Sequence, residues 1–221
     1  MRRYEFFRLV ILFYVIIFTI NVIFFTIFAV GMIIDIHTHN AKTHAQTLDT
    51  VGIHPWHAST GDIAEVERLA YSVDAVGEIG LDYACNVPRE KQMSVFRAQL
   101  EIAERLEKPV VLHCVRAFEE AMKVIGEYRL KAVIFHGFIG SVEQAQRAVK
   151  QGYYISFGER TFHSPKTIEA MRATPLSQLF VETDESTTPI EEIYAKIAEL
   201  RGISTKDLLA ATEENFHKII K

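Results

Sequence analysis

The chain has 221 residues and a formal net charge of −4 at pH 7, and this length suits one domain plus an appendage. Three arginines against one glutamate give the first 31 residues a charge of +2, which leaves −6 for the other 190. No basic run follows, which excludes the broad cationic surface that drives non-specific binding to duplex nucleic acid. Cys85 and Cys114 form no C-x-x-C pair and predict idle thiols in a reducing compartment.

Residues 9–30 are almost wholly apolar and inflate the hydrophobic fraction of the whole chain, which is 49%. A run of this length can span a bilayer, because about 20 helical residues cover the hydrocarbon core. Three interpretations stay open: a signal anchor with Arg2, Arg3 and Arg8 in the cytoplasm, a signal peptide cleaved before Met32, or an over-extended reading frame with translation starting at Met32. We favour the last, because IIDIHTHN follows Met32 at once and no linker separates the apolar run from the domain.

The sequence therefore divides into an apolar N-terminal segment, 1–31, and a domain, 32–221. A start at Met32 predicts a cytoplasmic protein. If residues 9–30 are a real anchor, the protein is instead attached to a membrane through them, and only then is the membrane a partner.

Short β-branched runs alternate with amphipathic helical stretches along the domain. The predicted strands are 33–37, 50–54, 74–79, 109–113, 131–136, 153–157 and 178–183. The predicted helices are 61–72, 89–107, 117–128, 141–151, 165–173, 189–201 and 205–220. Gly202 is the predicted stop of the sixth helix, and Ser204 is the predicted N-cap of the seventh.

Repeating βα units with mostly apolar strands predict an α/β fold with a parallel sheet and helices outside it. The best match is a TIM-like (β/α) barrel, trimmed or incomplete. Seven strands are clear, whereas a full barrel has eight. Residues 40–48 are too few for a helix plus a strand and leave room for at most a stub strand at 45–48.

Potential metal ligands stand at the ends of several predicted strands. His37 and His39 lie two apart on the first strand, so they point to the same side. The others end the third, fourth, fifth and seventh strands: Glu78, His113, His136 and Asp184. The carboxyl ends of barrel strands line the active site, and burying these groups without partners is costly. Convergence on a divalent metal removes that penalty, and mixed nitrogen and oxygen ligands suit zinc or manganese better than magnesium.

The motifs around these residues resemble those of the TatD family of metal-dependent hydrolases, within the wider amidohydrolase-like barrels. They follow the order of that family: DIHTHN (35–40), GIHPW (52–56), GEIGLDY (77–83), PVVLHCVRAFEE (109–120), FHGFIGS (135–141), ETDES (182–186) and TEENFHKII (212–220). The H-x-H motif alone is a weak signal. The further motifs in the right order make the resemblance specific, and it covers essentially all of 33–220.

The resemblance implies two divalent metal ions, zinc, manganese or magnesium. The first would be bound by His37, His39, Glu78 and Asp184, and the second by Glu78, His113 and His136, with Glu78 bridging. The implied activity is phosphodiester hydrolysis, chiefly as a deoxyribonuclease and 3′–5′ exonuclease at DNA ends, with no protein partner. Glu78 and Asp184 are the expected catalytic residues, and Asp184 would take the proton of the attacking water.

Other residues are weaker candidates. His54 and Arg116 are the expected substrate contacts, since an imidazole can hydrogen-bond a phosphate and a guanidinium can clamp one bidentately. Asp82 and Glu182 are candidates for orienting metal ligands. Trp56 is expected to pack at the barrel mouth or to stack on a base.

Ser186 departs from the family pattern, in which the segment after the ligand usually reads ETD-x-P. The loop that follows Asp184 is therefore expected to differ in shape. Ser186 and the short 40–48 segment are expected to affect substrate binding more than the metal site.

Two other functions stay open. The same barrel can hydrolyse a carboxylic ester, an amide or an aminoacyl-tRNA linkage, although no strand-end lysine suited to carbamylation is evident. The alternative from another class is a membrane-tethered, non-catalytic binding module. The complete ligand set argues against that module, because it would have no reason to keep six buried polar ligands.

Overall fold

The computed structural model describes residues 31–40 and 44–221. The apolar run at 9–30 lies outside them, and with it the choice between an anchor, a cleaved peptide and a later start. Within the described residues, no helix is long and apolar enough to cross a membrane. Ile33–Lys221 form one compact unit, and the boundary placed after residue 31 stays a prediction.

Six parallel strands form one sheet in which every strand pairs with its neighbours in sequence. They are β1 Thr50–Val51, β2 Ala75–Asp82, β3 Val110–Val115, β4 Val133–Phe135, β5 Tyr154–Phe157 and β6 Leu179–Val181. Because all six strands run the same way, their carboxyl ends meet at one edge. That edge is where a barrel carries its active site.

Residues 33–39 close the sheet on itself. On one side, Ile36 N donates to Val181 O (3.1 Å) and Asp184 N donates to His37 O (3.0 Å). On the other side, Asp35 N donates to Gln46 O (2.9 Å), and the chain continues from Gln46 into β1. Seven chain segments therefore make the ring. The barrel-like α/β fold is confirmed, and the 45–48 stub belongs to the same segment as β1 instead of adding an eighth position.

The predicted strand 50–54 is too long, because β1 ends at Val51. Ile53 leaves the ladder and pairs with a side-chain amide: its N–H donates to Gln99 Oε1 (2.5 Å), and its carbonyl accepts from Gln99 Nε2 (3.1 Å). A short 3-10 helix, Pro55–His57, follows. Strand β2 is longer than predicted and runs on to Asp82.

Seven helices surround the described sheet. They are α1 Ile63–Ala70, α2 Arg89–Arg105, α3 Phe118–Ile125, α4 Val142–Lys150, α5 Pro165–Ala173, α6 Ile190–Arg201 and α7 Thr205–Ile220. The predicted end signals are confirmed: Gly202 ends α6 with a left-handed φ of 66°, and Ser204 Oγ accepts from Asp207 N at the start of α7.

The core explains why ligands stand where they do. Val111, Ile134 and Phe180 belong to one buried cluster, to which Phe216 of α7 also belongs. Side chains two positions apart on a strand share a face. The residues two places further along β3, β4 and β6 are therefore stacked above this apolar layer, and they are His113, His136 and Glu182.

Helix α7 is tied to the opposite end of β6. The Asn215 amide donates to the carbonyls of Leu176 (2.7 Å) and Leu179 (3.0 Å). The Thr212 hydroxyl lies 2.8 Å from the hydroxyl of Tyr194, which donates to Ile34 O (2.8 Å). The polar residues of the last motif, TEENFHKII (212–220), thus stabilise the end of the barrel opposite the site and take no part in the site itself.

Candidate metal centre

Glu78 stands at the middle of the polar cluster. Its Oε1 lies 2.5 Å from His113 Nδ1 and 2.5 Å from His136 Nε2. Its Oε2 lies 3.3 Å from His37 Nε2 and 3.7 Å from His39 Nε2. The two oxygens of one carboxylate thus face two different pairs of histidines.

Asp184 joins the cluster from the loop after β6. Its Oδ1 lies 3.7 Å from His39 Nε2. Its backbone bridges the first segment in both directions, donating to His37 O and accepting from His39 N, each at 3.0 Å. Its φ is 54°, in the left-handed region that aspartate and asparagine tolerate better than most residues. The structure therefore brings all six predicted ligands together.

The ligand atoms fall into overlapping groups of three whose members lie within 4.8 Å of one another. The groups are His37–Glu78–His136, His37–His39–Asp184, His54–Glu78–His113 and His136–Glu182–Asp184. Two of these groups contain a residue outside the predicted set, namely His54 and Glu182.

The charges of the cluster are strongly coupled. Burial alone would raise the pKa of Glu78, but hydrogen bonds with the surrounding histidines outweigh it and hold that pKa well below its usual range. Burial would lower the pKa of His136, but the carboxylates of Glu182 and Glu78 raise it to about 10. Burial raises the pKa of Asp184, and the nearby charge of Glu182 adds to the rise. Asp184 is thus the carboxylate of the cluster that takes up a proton most readily.

The donor set fits a divalent metal. His37 Nε2 is buried and has no hydrogen-bond partner, and its nearest carboxylate oxygen is 3.3 Å away. A buried imidazole nitrogen without a partner is unfavourable in a metal-free core and is satisfied when it becomes a ligand. Imidazole nitrogens mixed with carboxylate oxygens are the ligands that zinc and manganese accept.

Two further carboxylates face the outer ring nitrogens of the histidines. Asp82 Oδ2 lies 3.3 Å from His113 Nε2 and accepts from Trp56 Nε1 (2.7 Å). Glu182 Oε1 lies 3.6 Å from His136 Nδ1. A carboxylate on the far nitrogen fixes the tautomer and the orientation of a metal-binding histidine. Asp82 and Glu182 occupy these positions.

His54 borders the cluster. Its Nδ1 accepts from Trp56 N (3.3 Å), so the neutral ring carries its proton on Nε2, which lies 3.4 Å from Glu78 Oε1. Gln99 holds the preceding residue, Ile53, through both backbone groups. His54 thus presents an N–H donor beside the metal-binding cluster.

Sequence reasoning missed two buried glutamines of α2 that support the site. Gln99 anchors the loop before His54. Gln92 does the same for the end of β2, since its amide accepts from Asp82 N (2.7 Å) and donates to Asp82 O (2.8 Å). The available signal was their position, because both lie on the apolar face of a helix whose neighbouring positions are buried, such as Phe96 and Ala103.

The cluster opens into a cleft of about 860 Å³. Arg116, with a left-handed φ of 54°, and Arg160, which sequence reasoning missed, are exposed and line it. Neither guanidinium forms an ion pair with any residue in the described ranges. Trp56 is 54% exposed at the same cleft.

Ser186 gives its loop a polar anchor where the family usually has proline. Its hydroxyl donates to Glu159 Oε2 (2.5 Å), and the Thr188 hydroxyl donates to Glu159 Oε1 (2.9 Å). The loop after Asp184 is therefore tied to the segment after β5.

Comparison with known proteins agrees with this geometry. Residues 26–221 match the family described as TatD related DNase. The chain is 30% identical over 194 residues to a Bacillus subtilis (strain 168) protein described as an uncharacterized metal-dependent hydrolase, YabD, covering 77% of this chain and 76% of that protein. It is 31% identical over 204 residues to the 3′-5′ ssDNA/RNA exonuclease TatD of Escherichia coli (strain K12), covering 79% and 78%.

A comparison of folds also finds a TatD homolog. The crystal structure of YJJV, a TatD homolog from Escherichia coli K12, superposes with a TM-score of 0.74 at 26% identity over 86% of each chain. The resemblance seen in the motifs is confirmed. The chain belongs to the TatD related DNase family and is a metal-dependent hydrolase of the TatD type.

Proposed function

We propose that this protein hydrolyses phosphodiester bonds at the ends of nucleic acid strands, as a 3′–5′ exonuclease on DNA, with two divalent ions. The observation that carries the proposal is the position of Glu78, whose Oε1 faces His113 and His136 while Oε2 faces His37 and His39. A carboxylate shared in this way is suited to bridge two ions. The E. coli relative named as an exonuclease on single-stranded DNA and RNA supports the substrate class.

One ion would be held by His37, His39, Glu78 and Asp184, and the other by Glu78, His113 and His136. Bound together, two such ions would acidify a water molecule and neutralise the charge that develops on the phosphate. The nitrogen-rich ligand set favours zinc or manganese over magnesium.

Asp184 is the proposed proton acceptor. Water adds to the phosphorus, its proton passes to the Asp184 carboxylate, and the bond to the leaving oxygen breaks as that oxygen takes up a proton from solvent water. In the metal-free protein, burial raises the pKa of Asp184 while that of Glu78 is held low, so Asp184 is the better proton acceptor of the two carboxylates. Glu78 stays ionised, since its pKa is held low, and keeps the site together.

His54 and Arg116 are the proposed substrate contacts. The Nε2 proton of His54 is available to a phosphate oxygen at the edge of the metal-binding cluster. Arg116 lines the cleft with a planar guanidinium that matches a phosphate bidentately.

The N-terminal boundary of the catalytic domain is also a proposal. We place the catalytic domain at 32–221 and expect it in the cytoplasm if translation starts at Met32. N-terminal sequencing of the native protein tests this start, and a native chain beginning at Met1 in a membrane fraction contradicts it.

The decisive assay uses protein reconstituted with zinc, manganese or magnesium on labelled single-stranded DNA, duplex DNA, RNA and an aminoacyl-tRNA. We expect progressive shortening of DNA from its 3′ end, abolished in Glu78→Gln and unchanged in Arg68→Gln, an exposed residue of α1. If no nucleic acid is shortened with any metal, the proposal fails. Release of the amino acid alone would move the assignment to carbonyl chemistry.

A further inference from the structure

A second cavity of about 600 Å³ adjoins the metal cleft, and we call it the side pocket. The two spaces share Cys114, Arg116, His136 and Ile139, so they meet beside the metal-binding cluster. Its volume falls within the roughly 300–1,000 Å³ of pockets that bind small organic ligands. Nothing in the proposed mechanism uses the part of the pocket beyond Arg116.

The side pocket is lined by positive charge that forms no ion pair among the described residues. Arg89, Arg116 and Lys166 line it and are exposed, and none of them forms an ion pair within the part of the chain that the structure describes. Other arginines, on the outer surfaces of the helices, are each paired with a glutamate: Arg68, Arg97, Arg105, Arg147 and Arg172. In a chain of net charge −4, three cations around one cavity, without an ion pair to any described residue, favour an anionic ligand.

The acidic residues of the pocket leave that charge largely uncompensated. Glu119 is already bound by Arg147 through two hydrogen bonds, of 2.6 and 2.8 Å. Glu120 interacts with the hydroxyl of Tyr83. Of the two carboxylates, only Glu120 is without a cationic partner.

Aromatic rings supply the other half of the site. Tyr83 and Phe118 are partly exposed in the lining. The guanidinium of Arg89 lies 4.2 Å from the centre of the Tyr83 ring, which shows that this ring already holds a flat, cationic group against its face. Cations combined with aromatic faces are how proteins hold single-stranded nucleic acid without reading its sequence.

We propose that the side pocket binds the nucleotide next to the scissile phosphate. Its base would take the place of the Arg89 guanidinium on the face of Tyr83, beside Phe118, and the displaced Arg89 would meet the phosphate beyond it together with Lys166. Arg116, in the wall common to both spaces, would lie between two successive phosphates. This inference rests on the proposed function and adds to it a one-nucleotide subsite that accepts single strands.

The test measures binding in the full-length, zinc-loaded protein with a labelled, cleavage-resistant phosphorothioate oligothymidylate, by fluorescence anisotropy over a series of salt concentrations. Single-stranded ligands lose about 0.7 in the slope of log affinity against log salt for each phosphate contact removed. We expect Arg89→Gln and Lys166→Gln each to weaken binding and to lower the slope by about that amount. Tyr83→Leu should weaken binding about 5-fold or more at an unchanged slope.

Arg68→Gln, on the outer face of α1, is the matched control and should change neither affinity nor slope. Circular dichroism confirms that each variant is folded. The inference is overturned if Arg89→Gln and Lys166→Gln both bind like the wild type, or if the wild type binds a duplex as tightly as the single strand. The proposed function is judged separately by whether the wild type shortens any nucleic acid, so the two failures are distinguishable.

Discussion

The two oxygens of Glu78 face two unlike halves of the site. On the enclosed half, His113 and His136 both lie 2.5 Å from Oε1, and their side chains are 13% and 6% exposed. On the open half, His37 and His39 lie 3.3 and 3.7 Å from Oε2, and the side chain of His39 is 55% exposed. The first half is thus compact, whereas in the second half His39 is accessible from the cleft, although the side chain of His37 is only 7% exposed.

The halves also differ in what supports them. Each histidine of the enclosed half has a carboxylate near its outer nitrogen, Asp82 for His113 and Glu182 for His136. In the open half, backbone pairing between Asp184 and residues 37–39 provides the support. We infer that the enclosed half holds its ion more tightly, while the open half meets substrate and exchanges its ion.

Loss of Glu78 is expected to have the largest effect, because its two carboxylate oxygens face the histidines of both halves. We expect Glu78→Gln to reduce hydrolysis by roughly 1,000-fold or more, which corresponds to about 4 kcal/mol of transition-state stabilisation. Metal content measured by mass spectrometry should fall below two ions per chain. Retention of two tightly bound ions would show that the halves do not depend on a shared carboxylate.

Asp184→Asn removes the proposed proton acceptor and keeps the local backbone structure. Asparagine also tolerates the left-handed backbone that Asp184 adopts, so the fold should be kept. Loss of the general base is expected to lower kcat by about 100- to 10,000-fold. Thermal unfolding should change little, and a variant that unfolds early would mean that the residue acts mainly through structure.

Stepwise removal of metal tests the inferred difference in affinity. A chelator titration of loaded protein should release one ion before the other, and His39→Gln should shift only the first step to lower chelator concentration. Release of both ions in one step would contradict the comparison.

The chelator concentration that releases the ion of the enclosed half should also depend on pH. Because Glu182 and Glu78 raise the pKa of His136 to about 10 in the metal-free protein, its ring is protonated at neutral pH. An ion must displace that proton, so the affinity of this half rises with pH up to about that value, and metal uptake releases protons into an unbuffered solution.

Asp82→Asn probes the support of the enclosed half. The asparagine keeps a similar shape but removes the charge beside His113 Nε2. Metal affinity in the enclosed half should fall by about 10- to 100-fold. The first step of the chelator titration, which releases the more weakly held ion of the open half, provides the internal control, since it should stay where it is in the wild type.

The convergence of the candidate ligands could be predicted from the sequence, whereas the residues that support them could not. His113 and His136 follow buried strand residues at a spacing of two, so position along the strand was enough to place them at one edge. For Asp82 and Glu182, the sequence could not distinguish a role in orienting metal ligands from a purely structural one, because that role depends on which histidine ring nitrogen each carboxylate faces. The early end of β1 was missed because it depends on Gln99, a residue 46 positions from Ile53 in sequence.

Gln99→Leu is expected to have the smallest effect. It tests whether a residue that lies outside both halves and supports the loop before His54 affects the site. Leucine fills the same buried space but leaves the N–H and carbonyl of Ile53 without partners. Each unsatisfied buried group costs about 1–3 kcal/mol of the free energy of unfolding. Because Ile53 precedes His54, we expect KM for a DNA end to rise a few-fold while metal stoichiometry stays at the wild-type value. Gln146→Leu, on the exposed face of α4, is the matched control, and equal effects of the two substitutions would show that Gln99 does not position His54.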